Sequence, residues 1–279
     1  MTVSAQPKNG VAIVANDKIV DWLLPFLESY AATNRATELF LIPYDENIAR
    51  TRKAAQVYGA TVVEDVIPEL DTLARRLYPL SPYRRRRLRK LQALALPLDR
   101  VIYLDVDIIL FRDLSPLFAC LRPGEADFIV ASTSDDYVYN SRYTDYDFLK
   151  DARLFSDGFF LTSRHVLGLR DFKDVIEREE KLFHAVRKRG GLYAQPLVNF
   201  VVHARRLHVR SLSECLPDAS DESFYKVRTA SFREDGPADF HGRAIYFVHW
   251  AGAVRKPSSG FFDAAWQAYA RGAAMRMAQ

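Results

Sequence analysis

Apolar and polar positions alternate along this chain in blocks of strand and helix length. Val11 to Ala15 (VAIVA) is an unbroken apolar run ending at Asn16-Asp17, the pattern of a strand buried on both faces. From Ile19 to Ala32, Val20, Leu23, Leu24, Leu27 and Ala31 recur at helical spacing and predict a helix covering one face of a sheet. Leu39 to Tyr44 (LFLIPY) predicts a second strand. ARTRKAAQVYG predicts a helix with Gly59 at its C-cap, and ATVVED a third strand. Strand, helix, strand, helix, strand implies a parallel sheet with right-handed crossovers. A basic, helix-like segment then runs through Leu98.

Arg100 to Phe111 (RVIYLDVDIILF) is the most strongly strand-forming run, and two aspartates interrupt it. Asp127 to Ser132 and Gly158 to Ser163 predict further strands, Asp171 to Arg189 a charged amphipathic helix, and Ala244 to Gly252 a last strand. Ser213 to Gly242 is polar and irregular. No internal repeat, low-complexity tract or long linker divides the chain. The expected organisation is a single α/β domain over residues 9–257, a mixed sheet with helices on both faces, and a helical C-terminal extension over 258–279.

Composition fits one globular unit, with 279 residues, 49% hydrophobic and 27% charged. No stretch approaches the roughly 18 to 20 apolar residues of a membrane span, and Met1 to Gly10 lacks the apolar core of a signal peptide. The expected compartment is the cytosol, with peripheral contact at the inner face of a membrane as an extension of that expectation. Cys120 and Cys215 fit neither a metal knuckle nor a disulfide framework and are expected to be buried thiols. Charge changes the picture more. The net +4 is local, because residues 75–90 (RRLYPLSPYRRRRLRK) hold eight basic side chains and no acid; without them 31 basic residues face 35 acidic ones, a net of −4. What that patch faces becomes the question.

Two features carry candidate chemistry. Asp105 and Asp107 stand two apart in a strand-like run, which puts both carboxylates on one face. Buried like charges require protonation, a cation or a metal, and a pair of carboxylates suits a divalent ion; a solvated strand end is the alternative. His249 ends the last predicted strand, followed by Gly252, which permits close backbone approach, and Lys256 before Pro257. A histidine there is a metal ligand or a satisfied core residue. Two carboxylates, an imidazole and nearby cations form an arrangement that neutralises a diphosphate.

With these residues in view, YLDVDIILFRDLSPLF resembles the metal-strand block of family 8 retaining glycosyltransferases, which have the GT-A nucleotide-sugar fold, Rossmann-like and built on a mixed sheet. Other blocks follow in the family's order: VAIVANDKIVDWLLPFLESYAATN as first strand, nucleotide loop and helix, then RKLQALALPLDR, FSDGFFLTSR, AQPLVN and HWAGAVRKP, spanning roughly residues 11–257. The resemblance implies that Asp105, Asp107 and His249 hold Mn2+ (or Mg2+). It implies that Lys256 and Gly252 contact the donor diphosphate and that Ala15, Asn16 and Asp17 meet the base and ribose. Val106 and Lys90, with Arg87 or Arg89 as substitutes for Lys90, would contact the donor. Asp157 and Gln195 would lie beside the transferred sugar as the candidate catalytic residues. Three positions depart from the family. Ala194 replaces an acid, Asp157 stands in place of an asparagine as though a carboxylate had moved across the sugar pocket, and Ser258 replaces a tryptophan.

The function expected is metal-dependent transfer, with retention, from a nucleoside diphosphate sugar, a UDP-sugar, to a glycan or lipid-linked glycan. Charge stabilisation on the departing diphosphate would be the main catalytic effect. A nucleotidyltransferase is disfavoured because VANDKIVDW has no glycine for a phosphate loop. The alternatives are a binding-only or inactive relative, made plausible by Ala194, and a protein that binds an anionic polymer or membrane through RRRRLRK; nucleic acid is the less favoured partner. In the tail, Phe262, Trp266, Tyr269 and Ala273 share a helical face that would pack back on the domain, or else dock at a membrane with Arg271 and Arg276.

Overall fold

The computed structural model describes residues 7–65, 67–133, 138, 146–179, 194–227, 230–253 and 256–279. In chain order the elements are β1 (Asn9–Ala15), α1 (Val20–Thr33), β2 (Glu38–Pro43), α2 (Ala49–Tyr58), β3 (Thr61–Val62), α3 (Pro68–Leu77) and α4 (Pro82–Arg87). A 3₁₀ segment (Leu88–Ala95) leads to β4 (Arg100–Leu104), β5 (Ile108–Leu110), α5 (Ser115–Phe118), β6 (Phe128–Val130), α6 (Asp147–Lys150), β7 (Phe159–Ser163) and α7 (Leu169–Arg178). The chain ends with α8 (Ala194–Ala204), β8 (Val209–Ser211), α9 (Leu212–Cys215), β9 (Ser231–Arg233), β10 (Gly236–Ala238), β11 (Phe247–His249) and α10 (Asp263–Met277).

Seven strands form the main sheet in the order β3-β2-β1-β4-β7-β6-β8. The strands β3, β2, β1 and β4 run parallel as expected, whereas β7 is antiparallel to both β4 and β6, so the sheet is mixed. Both faces are covered. Along β4, Val101 and Tyr103 enter one apolar cluster with Leu88, Leu91 and Phe200, while Ile102 and Leu104 enter the other with Leu23, Phe26 and Leu27. This alternation explains why the strands are apolar throughout. Chain order reverses at β1: β2 and β3 lie to one side, β4 to the other. The carboxyl ends of β1 and β4 therefore border the crevice where open α/β sheets bind ligands.

Several expectations are corrected. The run from Arg100 to Phe111 is not one strand; it splits into β4 and β5 at Asp105 to Asp107, because the two halves join different partners. The first pairs with β1 and β7, the second with β11 in a separate two-stranded sheet. The basic segment is not one helix either. Pro79 and Pro82 interrupt it, since proline lacks an N–H and disfavours helix in the residue before it. The helix expected over 171–189 ends at Arg178, and 180–189 lie outside the described residues. Cys120 and Cys215 are free and only half-buried, packed with the Cys120 Sγ 3.5 Å from the Cys215 carbonyl. Gly59 does cap α2 in the left-handed conformation, φ 71°.

The tail packs back. Trp266 meets Trp22 of α1 edge-to-face at 5.5 Å, and Phe262, Trp266 and Ala273 are buried. Arg276, which the alternative of membrane docking would use, is paired with Glu28 of α1 at 2.9 Å. Among the described residues no helix is long and apolar enough to cross a membrane.

Asp263 fixes the start of α10. Its carboxylate accepts from the backbone N–H of Ser258 (2.7 Å), Ser259 (3.0 Å) and Gly260 (2.7 Å) and from the Trp250 indole (3.1 Å). Burial pushes this carboxyl up, but those donors outweigh it and hold the group below its ordinary range. A pKa lowered on folding gives stabilisation that is complete above the unfolded value, about 3.9, and is lost as pH falls through the folded one. Asp263→Asn is expected to cost about 2 kcal/mol at neutral pH by urea denaturation, with the difference from wild type shrinking in acid.

Candidate active site

The site forms where the chain leaves the central sheet for the small one. At the end of β4 the Asp105 N–H donates to the Gly158 carbonyl at 2.8 Å, continuing the ladder in which Leu104 faces Phe159. Three residues later Ile108 faces His249 across the β5–β11 ladder, and the Trp250 N–H donates to the Asp107 carbonyl at 2.8 Å. Both aspartates are thus held at a junction with ladders on each side. They converge because of that junction, not because of strand alternation. His249 Nε2 lies 3.0 Å from Asp107 Oδ1 and 3.9 Å from Asp105 Oδ2.

Among the described residues, Asp105, Asp107 and His249 are the one group of three potential metal ligands whose ligand atoms all fall within 4.8 Å of one another. Two carboxylate oxygens and an imidazole nitrogen fit manganese or magnesium with further oxygen ligands, so the donor set suits the ion implied by the sequence. Burial pushes the His249 pKa down, but Asp107 and Asp105 outweigh it and raise it overall. Metal uptake would compete with protonation of this imidazole.

Lys90 supplies the compensating charge. Its ammonium, on the buried 3₁₀ segment, lies 2.9 Å from Asp157 Oδ2 and 3.5 Å from Asp105 Oδ1, donates to the Asp157 carbonyl at 3.2 Å, and sits 4.9 Å from the centre of the Tyr103 ring. Burial disfavours the charged lysine, yet the two aspartates raise its pKa overall and keep it an ammonium. Asp105 is pushed up by burial but held low by Lys90, then His249, then the Tyr103 hydroxyl, which donates at 2.7 Å. Asp157 is raised by burial, with Lys90 opposing the rise. Its Oδ2 is buried and accepts no hydrogen bond despite its closeness to Lys90.

These groups line a cleft of about 580 Å³ whose walls also include Val14, Trp22, Tyr44, Arg86 and Arg87. Of the residues singled out in the sequence, the structure gathers Lys90, Arg87, Asp105, Val106, Asp107, Asp157, Gln195, His249 and Gly252 in that lining, with Ala194 beside Gln195. It does not place Ala15, Asn16, Asp17, Arg89 or Lys256 there. Ala15 is buried at the end of β1, its carbonyl accepting from the Tyr44 N–H. Asn16 donates to Asp45 (2.9 Å), which pairs with Arg86 (3.5 Å). Asp17 caps the start of α2 through the Thr51 N–H (2.8 Å), the Thr51 hydroxyl (2.9 Å) and the Arg50 N–H (3.1 Å). Lys256 pairs with Asp21 at 2.7 Å and borders a separate hollow with Trp250 and Asp263.

One contributor escaped the sequence reading. Tyr103 precedes Asp105 by two positions in an extended run, a spacing that would have revealed a shared face. Asn199, which keeps its place in the AQPLVN block, spans α8 and the Asp157 loop, donating to the Phe155 carbonyl (2.8 Å) and accepting from the Phe155 N–H (3.0 Å). Nothing local in the sequence signals that pairing.

Solved structures share this fold. LgtC, a galactosyltransferase solved in complex with donor and acceptor sugar analogs, matches at TM-score 0.59 and 15% identity, over 94% of this chain and 95% of that one. GlyE from Streptococcus pneumoniae TIGR4, a glycosyltransferase, matches at 0.55 and 13%, over 98% of this chain and 62% of that one. WbbM, a bifunctional glycosyltransferase, matches at 0.57 and 11%, over 100% and 53%. The architecture is therefore the α/β GT-A type expected from the sequence, with a mixed sheet flanked by helices. No protein-family model matches the chain, and no curated protein sequence does.

Gly158 is required by close approach. A Cβ there would overlap His249 Cε1, lie 2.8 Å from its Nδ1 and 3.1 Å from Asp105 Oδ2. Gly158→Ala is expected to push the imidazole aside and weaken Mn2+ binding at least tenfold, read by titration calorimetry, while the far-ultraviolet circular dichroism spectrum is unchanged.

Proposed function

We propose that this protein is a glycosyltransferase of the family 8 type, moving a sugar from a nucleoside diphosphate sugar, a UDP-sugar, to a hydroxyl of a glycan or lipid-linked glycan with retention. The observation that carries the reading is the convergence of Asp105, Asp107 and His249 with Lys90 in one cleft at the carboxyl ends of β1 and β4. The catalytic unit is residues 9–257, with 258–279 as an extension packed against it.

Departure of a nucleoside diphosphate concentrates negative charge on phosphate oxygens, and fixed positive charge there lowers the barrier. A divalent ion held by Asp105, Asp107 and His249 supplies Lewis-acid stabilisation of that charge when bound. Lys90 holds the Asp105 carboxyl low and opposes the rise that burial imposes on Asp157, so its role is to organise the carboxylates. Asp157 brings a carboxyl group to the cleft wall beside Gln195, where its charged form stabilises a sugar that becomes electron-poor, and Gln195 orients that sugar. Arg86, held from behind by Asp45 and through it by Asn16, forms the wall beside the base and ribose. Arg86 and Arg87 in the lining add positive potential for an anionic donor. Gly252, with φ 71°, brings its backbone to the same lining. Lys256 would reach the diphosphate only on leaving Asp21.

The test is a calorimetric titration of UDP with and without Mn2+ into wild type and Asp107→Ala. Mn2+ is expected to tighten UDP binding to wild type at least tenfold and to leave the variant unaffected. Absence of UDP binding to both proteins, or equal binding with no metal effect, contradicts the proposal. Turnover of a UDP-sugar by wild type separates an enzyme from the binding-only relative that Ala194 suggests.

A further inference from the structure

The turn between α3 and α4 joins the chain's charge asymmetry to the most exposed large apolar side chain among the described residues. Leu80 is 94% exposed and Tyr83 59%. The turn is built to hold that exposure. Pro79 and Pro82 bracket it, and the Arg85 guanidinium donates to the carbonyls of Tyr78 (2.7 Å) and Pro79. The Ser81 hydroxyl accepts from the Arg84 N–H (3.4 Å), and the Tyr44 hydroxyl donates to the Tyr83 carbonyl (3.1 Å). A leucine on a turn tied at four points does not fold back onto the core. Single exposed apolar residues need no explanation, but this one stands within a run of cations.

Those cations are not all consumed internally. Arg86 pairs with Asp45 and Glu46, and Arg87 lies over the Tyr83 ring at 4.8 Å. Arg84 has no carboxylate partner among the described residues. Because the remainder of the chain carries net −4, an anionic surface attracts this face and repels the rest, which fixes orientation. The tail helix does not compete for this role, since its apolar face is spent against α1 and Arg276 against Glu28. A soluble polyanion would satisfy the arginines and leave Leu80 in water, whereas a lipid interface takes both.

We propose that residues 80–87 dock the protein on an anionic lipid bilayer, with Leu80 and the Tyr83 ring in the interfacial layer and Arg84 against headgroup phosphates. Arg86 and Arg87 belong both to this segment and to the cleft lining, so docking sets the cleft beside the lipid surface. The inference does not depend on the donor reading, because binding is measured without nucleotide or metal.

The experiment is co-sedimentation of the full chain with phosphatidylglycerol-containing vesicles, with pure phosphatidylcholine vesicles, and with dextran sulfate on beads. Wild type, Leu80→Ser, Arg84→Glu and Phe240→Ser are compared; Phe240 is 78% exposed outside this segment. Wild type is expected to pellet with the anionic vesicles and not with phosphatidylcholine, and to release in high salt. Leu80→Ser and Arg84→Glu are each expected to weaken vesicle binding, Leu80→Ser by about tenfold, and Phe240→Ser to leave it unchanged. Failure of wild type to pellet, equal binding to both lipids, or equal vesicle binding by Leu80→Ser overturns the proposal. Capture by dextran sulfate without vesicle binding overturns it in favour of an anionic glycan.

Discussion

Everything at the site follows from placing three carboxylates within reach of one another at the end of a buried sheet. Asp105, Asp107 and Asp157 face one permanent cation, Lys90, and one conditional cation, His249. Taking ionised groups out of water costs several kcal/mol each unless charge and hydrogen bonds compensate. Lys90 makes the Asp105 and Asp157 contacts simultaneously, which is why an ammonium persists at a position only 8% exposed. His249 completes the balance between Asp105 and Asp107, which raise its pKa, and a divalent ion held by the three would carry more charge to the same point.

The scaffold produces this crowding through backbone geometry. One apolar run supplies two strands that diverge into separate ladders, and the break between them sets the aspartates against His249. On the opposite side β7 begins beside Gly158, whose missing Cβ is the space that the His249 ring occupies. Asn199 ties the loop before it to α8, so Asp157 and Gln195 are carried by two elements pinned to each other. Asp157 thus reaches the cleft from the loop, and Ala194 and Gln195 reach it from α8.

Much of this was legible in the sequence, and the residues show where legibility stops. The strands β1 and β2, the helix between them and the Gly59 cap follow from local periodicity and turn chemistry. The clustering of Asp105, Asp107 and His249 was recoverable because the blocks that carry them resemble one family's motifs in order. The split of Arg100 to Phe111 was not, because apolar character says that a segment is buried and not which ladder it joins. Nor were the fates of Asp17 and Lys256, whose charges are taken by Thr51 and Asp21, partners fixed only by tertiary structure. The basic patch divides likewise: Lys90 serves the cleft, Arg75 and Arg86 are paired with acids, and the half-buried Arg84 has no carboxylate partner among the described residues.

The central claim is that the carboxylate junction is a metal-nucleotide site. Anomalous diffraction from crystals grown with Mn2+ and UDP tests it most directly. The expected result is one manganese peak bonded to Asp105, Asp107 and His249, with the UDP diphosphate on its open side and the His249 to Asp107 ion pair broken. Manganese bound elsewhere, or UDP bound with no metal at these three residues, would contradict it.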